Sequence, residues 1–273
     1  MNPHAHFVRC PPRGRVSAFG RPRGNDVNIF EDKVAVVTGA GGTMGRAVVD
    51  TLVSQGCRVA MVDVRAESMQ PAAAQYGARV MAVACDIRDA AAVESAHRRI
   101  ADAWAPVAIL VNNAGVLTNA KIEATTSDSW REVMSVNAEA PMVWSRCVVP
   151  GMKAARWGRI VNVGSLASKT GGLTAGTAYA VSKGAITALT LSLARELAPH
   201  GVTANAVAPA YVRTPMVTEA LTEAQRQALL QQIPVGRFCE PEEFAHVVAF
   251  LASPLSGFIT GEVVDLNGGL HMD

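Results

Sequence analysis

Seven short apolar segments recur along the chain, each separated from the next by a stretch long enough for a helix. This alternation restricts the fold more than any other feature. The segments are Val34–Thr38, Arg58–Asp63, 79–85, 107–112, 159–163, 202–207 and 262–266. They are rich in Val, Ile and Ala with no sustained polar alternation, the pattern of strands buried on both faces. Helical stretches fall between them at 44–55, up to about Tyr76, at 90–104, about 127–155, 177–198 and Pro241–Ala252. Pro141 and Pro150 disturb or end the fourth of these, because proline cannot donate the helical hydrogen bond. One or two further short helices are expected within 210–238, with 221–232 reading as an amphipathic lid. Strand and helix in strict alternation predict an α/β fold with right-handed crossovers, a doubly wound parallel seven-stranded sheet with helices on both faces. Aromatic content of only 5% against 49% hydrophobic residues agrees with such close packing of small side chains.

Residues 1–30 do not fit this pattern. They combine Pro3, Pro11, Pro12 and Pro22 with five arginines against one aspartate and show no apolar period. Such a stretch cannot bury enough surface to offset its ordering entropy, so it is read as a disordered extension preceding a single domain over 31–273. Most of the basic charge of the chain, net +2, sits in this extension. The slightly acidic body gives no electrostatic case for nucleic acid. No apolar run reaches the ~18–20 residues of a membrane span. The five cysteines are widely spaced without a CxxC pair, and the thiols are expected to be buried in a reducing cytoplasm, with no metal site.

Between the first strand and the first helix lies Thr38-Gly39-Ala40-Gly41-Gly42-Thr43-Met44-Gly45. Glycines there let the backbone turn tightly against a pyrophosphate, and the helix N-terminus offers oriented N–H donors. Asp63 ends the second strand, where an acid bonds the ribose hydroxyls of a dinucleotide and repels a 2′-phosphate. Arg65, two residues on, is placed to receive such a phosphate instead. Tyr179 and Lys183 lie one turn apart on the same helix face. A neighbouring ammonium stabilises a phenolate, so the pair suits general acid–base work near neutral pH. His97, His200, His246 and His271 lack an acid partner at useful spacing and are read as surface or packing residues, and the four tryptophans as packing residues.

The glycine turn, Asn112-Asn113-Ala114-Gly115 after the fourth strand, Ser165 after the fifth and Tyr179…Lys183 follow one another in the order of a known family. Over residues 31–273 the chain resembles the classical short-chain dehydrogenases/reductases, and Gly261, Gly268 and Gly269 resemble that family's ending. The resemblance implies a Rossmann-type fold and a set of site residues. Tyr179 would be the acid/base, Lys183 would tune it and bond the nicotinamide ribose, and Ser165 would orient the substrate oxygen. Asn137 would hold a water of the proton relay. Gly39, Gly41, Thr43, Met44, Gly45 and Asp63, with Asp86, Ile87, Asn113, Ala114 and Gly115, would line the cofactor. Pro209, Val212 and Thr214 would face the nicotinamide carboxamide.

The chain departs from the family pattern in three places. Thr43 replaces the usual middle glycine, Ala210 replaces the glycine after Pro209, and Ser165 stands 14 residues before Tyr179, which leaves Ser168 as a second candidate. The expected activity is NAD(H)-dependent interconversion of a secondary alcohol and a ketone, with NAD favoured by Asp63. The alternatives are an NADPH-dependent 3-oxoacyl-carrier-protein reductase, which the segment Gly236-Arg237-Phe238 resembles, and a non-catalytic NAD-binding sensor. The family further implies a homo-oligomer, commonly a tetramer.

Overall fold

A computed structural model of the protein describes residues 28–219 and 222–272. Most of the N-terminal extension, Cys10 and the first residue of the predicted lid helix lie outside these. Its last residues pack on the domain. Phe30 is fully buried, and its N–H donates to the Gln55 carbonyl.

The seven predicted strands form. They are β1 (Val34–Thr38), β2 (Arg58–Asp63), β3 (Val80–Ala84), β4 (Ile109–Asn112), β5 (Gly158–Val163), β6 (Val202–Pro209) and β7 (Val263–Leu266). They pair in one parallel sheet in the order β3-β2-β1-β4-β5-β6-β7. Every residue of β1, β5 and β6 is buried, as a strand covered on both faces requires. The strand order reverses between β1 and β4, and in such sheets a crevice opens outside the carboxyl ends at this switch point.

The helices are α1 (Thr43–Ser54), α2 (Gln70–Tyr76), α3 (Ala90–Ala103), α4 (Ser127–Met134), α5 (Ala140–Ala155), α6 (Ala167–Thr170), α7 (Thr177–Leu197), α8 (Pro215–Thr218), α9 (Glu223–Leu230) and α10 (Pro241–Ala252). Two packed layers sandwich the sheet. One gathers Val48 and Leu52 of α1 with Phe244 and Val248 of α10. The other gathers Ile100 of α3, Trp144 and Met152 of α5, and Leu197 of α7. The C-terminal end of α10 closes on Arg159, a buried residue of β5 whose Nε donates to the Ser253 carbonyl at 3.2 Å. A cation there meets the negative end of the helix dipole.

Two sequence expectations change in detail. The stretch 127–155 is helical throughout, but Ser135–Glu139 forms a π turn between α4 and α5. Pro141 has no N–H for the Asn137 carbonyl four residues back, and the wider turn absorbs that missing bond. Pro150 is carried within α5 without ending it. The amphipathic segment after β6 does not lie bare on the surface. Val217, Leu229, Ile233 and Phe238 build a small core of their own beneath α8 and α9. The Thr222–Gln225 capping box starts α9.

Phe244 carries the contact between α10 and α1, and its side chain is completely buried. Phe244→Ala is expected to cost about 3–5 kcal/mol in urea unfolding. A loss below about 1 kcal/mol would mean that α10 is not the lid of this layer.

Candidate active site

At the switch point the glycine turn divides its work among its residues. Gly39 adopts φ +63°, a left-handed conformation, and a Cβ on it would sit 2.8 Å from the Ala114 Cα. A Cβ on Gly45 would meet the Gly39 carbonyl and the Ala40 Cα. At Gly41 the obstacle would be the Ser68 side chain. Thr43 is the first residue of α1 and is exposed, so its place demands no glycine. Ala210 likewise avoids positive φ, and its N–H donates to the Leu266 carbonyl at 3.1 Å.

The N–H groups of Thr43, Met44 and Gly45 have no hydrogen-bond partner among the described residues. No side chain caps α1, and no acid sits in its first turn. A bare helix end approached by a loop that excludes Cβ atoms fits a phosphate-bearing dinucleotide. Asp63 follows at the end of β2. One of its oxygens accepts the Gly41 N–H and the other the Arg65 N–H, both at 3.1 Å. The carboxylate is thus aimed by backbone donors and remains only slightly exposed, while the largely exposed Arg65 side chain keeps its Nε 4.0 Å from it.

Thr38 ties β1 to the segment after β4. Its hydroxyl accepts the N–H groups of Asn113 and Ala114 at 3.0 and 3.1 Å and donates to the Val111 carbonyl. The Asn113 amide donates back to the carbonyls of Thr38 and Gly39. Asn137, on the π turn, continues the chain of bonds. Its side chain pairs with both the N–H and the C=O of Val116 at 2.9 Å and donates to Ser182 Oγ at 3.0 Å. Gly115 therefore lies close to α7, and a Cβ on it would be 3.5 Å from Lys183 Nζ.

Asp86 and Ile87 follow β3. Asp86 forms a two-pronged ion pair with Arg88, which holds its carboxyl below the usual carboxylate range. Ile87 packs against the layer of α3 and α5. Across the crevice, the Pro209 carbonyl at the end of β6 accepts the Leu166 N–H at 3.0 Å. Val212 bridges to Cys239, and Thr214 precedes α8.

Ser165, Tyr179 and Lys183 come together where β5 meets α7. Ser165 is buried, and its Oγ accepts the Ala167 N–H. Its hydroxyl lies beside the Tyr179 phenol and favours the ionised form of that group. Ser168 instead turns its hydroxyl back onto the Ser165 carbonyl, so the geometry favours Ser165. Lys183 is almost completely buried, and its ammonium donates to the Val163 carbonyl at 2.8 Å. It lies 5.6 Å from the Tyr179 ring centre.

Burial pushes the phenol pKa up, and only Ser165 opposes this. In the dinucleotide-free protein Lys183 is not among the groups that shift it. The ammonium is bound to backbone and is itself weakened, its pKa lowered to about 8 by burial. The arrangement offers one oxygen position beside two hydroxyls, with a buried cation behind them.

Sequence reasoning missed Thr38 and Ser182. A threonine closing an all-apolar strand was the available signal for the first, and nothing marked the second. Asn112, Asn162 and Thr190 form a further buried chain, with both amide bonds at 2.8 Å.

A family model described as enoyl-(acyl carrier protein) reductase matches residues 39–271. The 3-oxoacyl-(acyl-carrier-protein) reductase FabG of Vibrio cholerae is 38% identical over 244 residues, which is 89% of this chain and 99% of the relative. The protein of that name from Escherichia coli is 36% identical with the same coverage. That from Aquifex aeolicus is 36% identical over 245 residues, 88% of this chain and 98% of the relative. With this match over most of its length and the glycine turn, serine, tyrosine and lysine in place, the chain belongs to the short-chain dehydrogenase/reductase family, oxidoreductases that interconvert ketones and alcohols.

Proposed function

We propose that this oxidoreductase uses NAD(H) to interconvert a secondary alcohol and a ketone, with Tyr179 as the acid/base. The gathering of Ser165, at the carboxyl end of β5, with Tyr179 and the buried Lys183 of α7 carries this reading. A bound nicotinamide would supply the hydride acceptor or donor, and the protein need only align the substrate and move a proton.

Ser165 and Tyr179 hold the substrate oxygen between two donors and stabilise charge as it develops there. Tyr179 takes the hydroxyl proton during oxidation and returns it during reduction. Lys183 would hold the nicotinamide ribose, and its ammonium near the phenol would favour the phenolate and lower the raised pKa. Gly39, Gly41, Thr43, Met44 and Gly45 would hold the pyrophosphate. Asp63 would hold the adenine-side ribose, with Asp86 and Ile87 towards the base. Asn113, Ala114 and Gly115 would line the dinucleotide, and Pro209, Val212 and Thr214 the carboxamide. Asn137 joins the relay through its backbone carbonyl, since its side chain is spent on Val116 and Ser182.

Asp63 supports NAD over NADP, because its carboxylate opposes a 2′-phosphate. A second reading, reduction of a 3-oxoacyl thioester carried by an acyl-carrier protein, is supported by the relatives of that printed name. A panel of short secondary alcohols and acetoacetyl-coenzyme A, assayed with both nicotinamides, separates the readings. No helix among the described residues is long and apolar enough to cross a membrane. The described cysteines are unpaired, which supports a cytoplasmic setting. Met142 of α5 with Val181 and Leu191 of α7 expose apolar surface that supports a homo-oligomer, with the tetramer as the expected form.

Tyr179→Phe should lower kcat about 10²–10⁴-fold while leaving the dinucleotide Kd near wild type. Lys183→Met should impair both. Equal loss of dinucleotide affinity in the two variants would contradict this division of labour. Asp63→Ala should shift the ratio of kcat/KM values towards NADP, and an unchanged ratio would remove Asp63 from cofactor selection.

The buried lysine also predicts a pH signature in the dinucleotide-free protein. Its folded pKa is depressed to about 8 from 10.5. The unfolded chain therefore binds more protons between these values, and the burial penalty, complete below pH 8, is relieved as pH rises through the window. Wild type should gain stability relative to Lys183→Met between about pH 8 and 10.5. A constant difference would show that the ammonium carries no burial cost.

A further inference from the structure

Two segments that composition left uninformative meet through a side-chain bond, one leading into α7 and the other following β6, and each is held from behind. The loop 171–176 leads directly into α7 and Tyr179. Lys121 Nζ donates to the carbonyls of Gly172 and Ala175, both at 2.7 Å, and so staples this loop on either side of Thr174. Backbone bonds from Gly176 to Thr118 and from Thr177 to Ala120 extend the seam. On the other side, Tyr211 stands two residues beyond Pro209, whose carbonyl pairs with the residue after Ser165. Its own carbonyl accepts the Cys239 N–H, and its ring packs edge-on against Phe238 at 6.4 Å between centres. Held in this way, Thr174 Oγ1 and Tyr211 Oη share a hydrogen bond of 3.3 Å.

Two hydroxyls so joined keep one O–H and several lone pairs uncommitted. The cations around them are engaged. Arg213 pairs with Glu240, Arg237 with Glu243, and Lys121 with the two carbonyls. Among the described residues of this wall, the pair presents neutral hydroxyls while Arg213, Arg237 and Lys121 already have partners.

We propose that Thr174 and Tyr211 are specificity-determining residues that bind a second, uncharged oxygen of the substrate, such as an ester, thioester or hydroxyl oxygen, besides the one that reacts at Tyr179. This deepens the functional reading above and rests on it. A substrate lacking that oxygen leaves the pair unanswered, and one that places a carboxylate there meets no cation.

The test compares ethyl acetoacetate, butanone and acetoacetate as ketone probes, with whichever reduced nicotinamide the wild type accepts. Wild type should reduce ethyl acetoacetate with the highest kcat/KM of the three. In Tyr211→Phe, which keeps the ring against Phe238, and in Thr174→Val, the ratio of kcat/KM for ethyl acetoacetate over butanone should fall about tenfold, with the change mainly in KM. Thr174→Ser, which keeps the hydroxyl, should restore the wild-type ratio. A ratio unchanged in both variants, or a wild-type preference for free acetoacetate, would overturn the inference and leave the oxidoreductase reading standing. Wild type that reduces none of the probes with either nicotinamide would overturn both.

Discussion

The site depends on a single joint, the hydrogen bonds between Thr38 and Asn113 that hold together the ends of β1 and β4. These strands part at the place where the sheet reverses direction, and a crevice there exposes backbone groups that must be satisfied. Asn113 fills two carbonyls, and Thr38 accepts two N–H groups. The joint brings Ala114 against Gly39 and the Asn113 amide against both Gly39 and Gly45, which also packs on the Gly39 carbonyl and Ala40, so neither glycine tolerates a side chain. The glycine turn is therefore a consequence of packing between two strand ends as well as a preparation for phosphate. From Asn113 the same segment runs to Val116, where Asn137 and Ser182 fasten it to the helix that carries Tyr179 and Lys183.

Much of this was legible in the sequence because it is periodic or local. Segments rich in Val, Ile and Ala located the strands, and their spacing implied helices on both faces. The Tyr179–Lys183 spacing on one helix face is also a local property. The missing parts join residues distant in sequence. Thr38 bonds Asn113 and Ala114 across some 75 positions, and the Lys121 staple spans more than 50. No spacing rule reaches so far. The departures from the family pattern at Thr43 and Ala210 place no side chain on a left-handed backbone. Positive φ falls on Gly39 and not on either of these residues.

Electrostatics changed most between sequence and structure. Side by side on a helix, Lys183 and Tyr179 suggested an ammonium acting directly on a phenol. In the fold the ammonium is turned to the Val163 carbonyl and the phenol to Ser165, and burial opposes ionisation of both. A protein that holds its acid/base and its cation in their uncharged tendencies is set to respond to whatever enters the crevice between them. In a region of low effective dielectric, a modest movement of the ammonium towards the phenol has a large effect on proton affinity.

The central claim is that this crevice passes a hydride between a secondary carbon and a nicotinamide. Secondary alcohols deuterated at the carbinol carbon, the hydroxy ester obtained from ethyl acetoacetate among them, test it directly when incubated with the protein and oxidised nicotinamide. Mass spectrometry of the recovered reduced dinucleotide should show one deuterium transferred, and none with Tyr179→Phe. Ketone formation with unlabelled dinucleotide, or labelled dinucleotide formed equally well by the variant, would contradict the account.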